Sequence, residues 1–132
     1  MTRRESRELA FVLLFEKSFS DTPLDEILEN AGEAREIVRD AFALSLTEGV
    51  LAHTEEIDTQ ISEFSHKWSK DRLSRVALAI LRLAIYEMLW ESSIPVSVSI
   101  NEAVELAKRY GGDADASFIN GVLGGIARRH EA

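Results

Sequence analysis

Three arginines at the start of the chain, Arg3, Arg4 and Arg7, have the spacing that most directly suggests chemistry. On a helix Arg3/Arg7 and Arg4/Arg7 are one-turn neighbours, so the group can offer guanidinium forks to successive phosphates. The competing reading is a charged chain end that faces water. Further basic residues stand at Lys108-Arg109 and Arg128-Arg129. Other reactive types form no constellation. His53, His66 and His130 are far apart, and none has the His-Glu-x-x-His spacing that holds a catalytic zinc. Cysteine is absent, which excludes disulfides, thiolate metal sites and cysteine nucleophiles. Glu29, Glu33, Glu36 and Asp40 fall on helical positions that a solvated face explains. Gly121-Val122-Leu123-Gly124-Gly125 lies inside a helical pattern with no strand before it, so it is no phosphate-cradling loop. Neither a catalytic site nor a metal site is expected, and binding is the class of function left.

The elements that would position these arginines are helical. The chain has 132 residues, 45% of them hydrophobic and 29% charged, with a net charge of −8. Seven Gly and two Pro are too few for the frequent turns of an all-β fold. One helical domain over residues 1–132 is expected. Charge at Arg3, Arg4 and Arg7 leaves no room for a secretion signal, and Val76 to Trp90 is broken by Arg82 and Glu87, short of the roughly 20 apolar residues that span a bilayer. A cytoplasmic setting is expected. Leu9 to Phe15, apolar almost all round, predicts a first core helix. Thr22 and Pro23 can start a short helix ending near Gly32. Helical periodicity from Ala34 to about Lys67 predicts one long, bent helix. Ser74 opens a hub helix, Arg75 to about Ser92, whose apolar residues cover nearly every face and centre on Leu81 and Ile85. Ser92 to Val98, β-branched and containing Pro95, reads as an extended connector. Ser99-Ile100-Asn101-Glu102 then reads as a capping box for a helix that carries Glu105/Arg109 as an (i, i+4) pair and stops at Gly111-Gly112. A last helix is predicted from about Ala114 to Arg129.

A longer pattern runs through the second half: Ala79-Ile80-Leu81-Arg82-Leu83-Ala84-Ile85-Tyr86-Glu87, Ile94-Pro95-Val96, the run from Ile100 through Asn101-Glu102 to Tyr110-Gly111, and Phe118-Ile119-Asn120-Gly121-Val122-Leu123. Arg7-Glu8-Leu9-Ala10, Phe15-Glu16 and Trp68…Arg72-Leu73 fall in the same order. Together they resemble the bacterial transcription antitermination factor family NusB across essentially the whole chain. The resemblance implies an all-α, compact bundle of about seven helices in two helical sub-bundles, with no enzymatic activity and no cofactor. It also implies binding to the boxA element of nascent single-stranded RNA together with the small ribosomal-subunit protein NusE, in the antitermination complex of RNA polymerase.

By position, Arg3, Arg4 and Arg7 match the family's arginine-rich RNA-binding start, and Phe118 matches an aromatic that contacts RNA. Lys108 and Asn120 complete the expected RNA-binding set. Phe15 falls on the NusE-facing surface, and Ala77 stands where some relatives place a charge at that interface. Each assignment has a structural alternative. Phe118, followed by Ile119 and Val122, reads equally as a core aromatic. Asn101 and Asn120 read as helix-start caps, Arg82 and Tyr86 as a structural pair, and Gly121 as a site of close helix approach. Glu5 interrupts the arginine run, and Gly124-Gly125 replaces the family's acidic residue and weakens the last helix. Two other functions fit the resemblance: a homodimeric helical interaction module, and the RNA-binding domain type of a ribosomal RNA cytosine methyltransferase. The latter needs a Gly-rich cofactor loop that these 132 residues do not contain, so a free-standing factor is expected.

Overall fold

The computed structural model describes residues 2–18, 40–64 and 73–131. The short helix expected after Thr22, the start of the long helix at Ala34, His66 and the Trp68…Arg72 segment lie outside the described residues. Within them the chain forms six α-helices and no strand: α1 (Arg3–Lys17), α2 (Ala41–Ala52), α3 (Thr54–Phe64), α4 (Arg75–Trp90), α5 (Val96–Tyr110) and α6 (Asp113–Glu131). The all-α expectation holds, with six helices described against about seven expected. No helix among the described residues is long and apolar enough to cross a membrane.

α4 is the hub that its sequence predicts. It packs against each of the other five helices, and Leu81 and Ile85 are 0% exposed. Ser74 opens it, its hydroxyl accepting the Ala77 amide at 2.9 Å. α1 packs on α2 and α4, and buries Leu9, Ala10, Phe11, Leu13 and Leu14. Its start is set by a capping box: Thr2 accepts the Glu5 amide at 3.1 Å, and the Glu5 carboxylate accepts the Thr2 amide at 3.0 Å. α5 packs on α4 and α6, while α3 packs on α2, α4 and α6.

Three boundaries differ from the sequence reading. The expected long helix is broken at His53, where φ −117° and ψ 16° leave the helical region. The Thr54 hydroxyl donates to the Val50 carbonyl at 2.8 Å, a side-chain bond that competes with helix continuation. Beside the break, a Cβ on Gly49 would come within 2.1 Å of the Tyr86 ring, so the glycine lets α4 approach. α5 begins at Val96, inside the predicted connector, with Pro95 as N-cap and no side-chain cap. Ser99 and Asn101 are therefore interior helical residues, and the Ser99 hydroxyl serves a buried carboxylate instead. α6 begins at Asp113, one residue early, which is ordinary for a helix end. The stop at Gly111-Gly112 is as predicted: both amides reach the Ala107 carbonyl at 2.7 Å, and Gly112 has φ +105°, a conformation that side chains disfavour.

Candidate nucleic-acid interface

The arginines of α1 do not act as a set. Arg3 is exposed and lays its guanidinium over the Phe42 ring, 3.9 Å from the centroid. Arg4 reaches the other way, where its Nε and Nη2 donate to the two oxygens of Glu102 on α5, at 3.1 Å each. Its side chain is 63% exposed. Arg7 points inward, and its Nε donates to both oxygens of Glu87 on α4, at 3.0 and 2.9 Å, with Ser99 Oγ donating to the same carboxylate at 3.1 Å. Arg7 is 5% and Glu87 1% exposed. The expectation that Arg7 grips phosphate alongside Arg3 and Arg4 is therefore corrected: its charge is neutralised inside the fold.

Between α1 and α5 lies a half-open groove of about 380 Å³, floored by Leu106 and walled by Arg4, Glu8, Glu102, Glu105, Lys108 and Arg109. Each cation here has a carboxylate partner. Besides Arg4 with Glu102, Arg109 Nη1 donates to Glu8 at 2.6 Å, and Lys108 Nζ lies 3.9 Å from Glu105. The predicted Glu105/Arg109 pair is thus replaced, because Glu8 from the facing helix takes Arg109. Tyr110 closes the end of this cluster. Its hydroxyl donates to Glu8 and its ring packs 4.9 Å from that of Phe11. The bond to Glu8, then partial burial, pushes the phenol above its usual range.

The remaining expected residues lie elsewhere. Phe118 and Asn120 are on α6 and do not line the groove. Phe118 is half-buried against the core, while Asn120 is exposed and inside the helix, where it caps no helix start. Phe15 is half-buried near the end of α1, its ring 6.1 Å from that of Phe11. Ala77 is 1% exposed, so it offers no surface to a partner, and its expected interface role is corrected. Arg82 and Tyr86 are both structural but not paired with each other. Arg82 makes a two-fold bond to Asp58 at 2.9 Å, and Tyr86 stacks with Trp90 and His53. Glu8, Glu102 and Arg109 were not singled out as site residues by the sequence reading. The available signal was one-turn spacing of opposite charges, Arg4/Glu8 on α1 and Glu102/Glu105/Arg109 on α5, which puts each set on a single face.

A family model described as the NusB family matches residues 4–128. The chain is 44% identical over 130 residues to the transcription antitermination protein NusB of Acetivibrio thermocellus, covering 97% of this chain and 90% of that one. Among solved structures, T. maritima NusB superposes with a TM-score of 0.84 at 39% identity, over 97% of this chain and 92% of that one. A crystal structure of antitermination factors NusB and NusE in complex with dsRNA matches with a TM-score of 0.79 at 27% identity, over 96% of both chains. With near-complete coverage in sequence and in fold, the chain belongs to the NusB family.

Proposed function

We propose that this protein is a transcription antitermination factor that binds RNA jointly with NusE, as a binding protein of the cytoplasm rather than an enzyme. The observation that carries this reading is the likeness, over nearly the whole chain, to a structure solved with both NusE and RNA. Residues 1–132 act as a single domain, with two groups of helices meeting at α4. The RNA-facing cations are Arg3, Arg4 and Lys108, with Arg109 added. Phe118 and Asn120 on α6 face the bases, and Phe15 on α1 turns toward NusE. The RNA is a boxA-like single strand presented to the antitermination complex of RNA polymerase. Single-stranded RNA is held by cationic side chains along its backbone and by aromatic rings under its bases, which is the division of labour between α1 and Phe118. A chain of net charge −8 has few cations to neutralise phosphates, so a partner that extends the surface is needed for tight binding.

The test is titration of a boxA-like single strand, and of its duplex, against the protein alone and mixed with NusE. Tighter binding of the single strand by the mixture is expected. Equal affinity with and without NusE overturns the joint-binding reading, and preference for the duplex overturns the single-strand assignment. Within the mixture, Phe118→Ala loses about 1–3 kcal/mol of stacking with an unchanged salt slope. Replacing Arg3 and Arg4 by Ala flattens the log–log salt dependence by roughly 0.7 for each phosphate left without its cation.

A further inference from the structure

We infer that the α1–α5 groove is a subsite for an RNA backbone phosphate, and that Glu102 and Glu8 occupy its guanidinium groups in the free protein as built-in competitors. The inference rests on the RNA-binding reading above and adds to it a regulation of affinity. The geometry supplies the first argument. Arg4 presents Nε and Nη2 side by side to two carboxylate oxygens at 3.1 Å each, the same fork that receives two phosphate oxygens. Arg109 holds Glu8 at 2.6 Å on the opposite wall, so two guanidinium groups face one groove.

Exposure supplies the second. The Arg4 and Arg109 side chains are 63% and 62% exposed, whereas Glu102 and Glu8 are only 14% and 28% exposed. The carboxylates form the inner wall and the cations the outer surface. An arriving anion therefore meets the guanidinium before the glutamate that holds it. Each pair is open to water on its arginine side, so a phosphate of the same bite can compete there for the guanidinium. The pair Arg7–Glu87, made from the same residue types, cannot exchange because both members are buried.

The experiment uses the protein with NusE and the boxA-like strand. Glu102→Gln keeps the shape of the wall but releases Arg4, and is expected to tighten RNA binding about two- to fivefold, the scale set by one exposed ion pair. Arg4→Ala in the same chain cancels that gain. Glu8→Gln is the second arm, cancelled in the same way by Arg109→Ala. Glu55→Gln on α3, outside the groove, makes the same change in net charge and is expected to leave affinity nearly unchanged. A gain at Glu55 equal to that at Glu102 and Glu8, or gains that survive loss of the partner arginine, overturns the inference in favour of a general charge effect. Unchanged affinity in both glutamine variants, with normal binding by the parent chain, overturns the inference alone. Absence of RNA binding by the parent chain overturns the underlying function and this subsite with it.

Discussion

Three arginine–glutamate pairs tie α1 to its neighbours, and two of them use arginines of α1 itself, three residues apart. Arg7–Glu87 lies in the core and Arg4–Glu102 lies at the surface, and that difference in depth gives them different roles. In the core both charges have lost water, a cost recovered only if every polar atom is satisfied in a specific geometry. Arg7 donates to both oxygens of Glu87, and Ser99 donates to one of them, so a single arrangement of α1, α4 and α5 meets the requirement. At the surface water competes for each partner, and the pair adds little to stability. The buried pair admits a single arrangement of three helices, while the surface pair leaves its arginine open to solvent.

The contrast breaks most decisively at Arg7. Arg7→Ala strands Glu87 in the core with only the Ser99 hydroxyl, and is expected to cost about 3–5 kcal/mol in urea denaturation, the usual penalty for removing one member of a buried pair. Converting both members to apolar residues of similar volume, Arg7→Met with Glu87→Leu, should recover most of that loss. A cost below about 1 kcal/mol for Arg7→Ala would show that solvent reaches Glu87 and that the two pairs do not differ in kind.

Arg7 also shows where one-dimensional reasoning stopped. Spacing put three arginines near one another on a helix, and charge made them one site. The partner that removes Arg7 from that site is 80 residues away in sequence and is one acidic residue among 23. The hub helix, in contrast, was legible because an apolar surface on all sides has only one physical resolution, burial on all sides. The stop at Gly111-Gly112 was legible for a similarly local reason, the left-handed residue that ends a helix. The break at His53 was not. Helical periodicity runs through it, and what competes with the helix there is a side-chain bond, from the Thr54 hydroxyl to the Val50 carbonyl. At Pro95, β-branched neighbours favoured an extended chain locally. Proline's fixed φ instead served as the helix entry, and tertiary packing of α5 on α4 overrode the propensity.

Asp40 is the intermediate case between the two pairs, half-buried and bonded to α1 without a buried counter-charge. Its carboxylate caps α2 through the Phe42 and Ala43 amides, at 3.0 and 3.2 Å, and accepts the Ser6 hydroxyl from α1. The Ser6 bond first, then the two amides, hold this carboxyl below its ordinary 3.8 against the opposing effect of burial. Asp40→Ala is expected to cost about 0.5–2 kcal/mol at neutral pH, the range for loss of an N-cap. Because the folded-state pKa is depressed, the ionised carboxylate contributes fully above 3.8, and that contribution fades as pH falls through the lower folded value. Urea midpoints for the parent chain and Asp40→Ala should therefore converge on acidification. A gap that stays constant through that window would assign the effect to neutral hydrogen bonding alone.

The smallest effects test whether depth also decides the matter where no charge is involved. Gly121 and Gly125 lie one turn apart on α6, and the sequence reading gave the close helix approach to Gly121. The structure gives it to Gly125. A Cβ there would lie 2.7 Å from the Phe64 ring of α3, whereas nothing stands within 4 Å of a Cβ on Gly121. Alanine at either position gains the backbone term of about 0.5–1 kcal/mol, because glycine loses more conformational freedom on folding. At Gly121 that gain is unopposed, and Gly121→Ala is expected to stabilise the protein by the whole amount. At Gly125 the methyl forces the Phe64 ring aside, and overpacking of this kind costs about 1–3 kcal/mol, so the net sign reverses. Thermal melting of the two variants should move in opposite directions from the parent chain. Stabilisation by both would mean that Phe64 swings away freely, and that α3 is not held against α6 at this point.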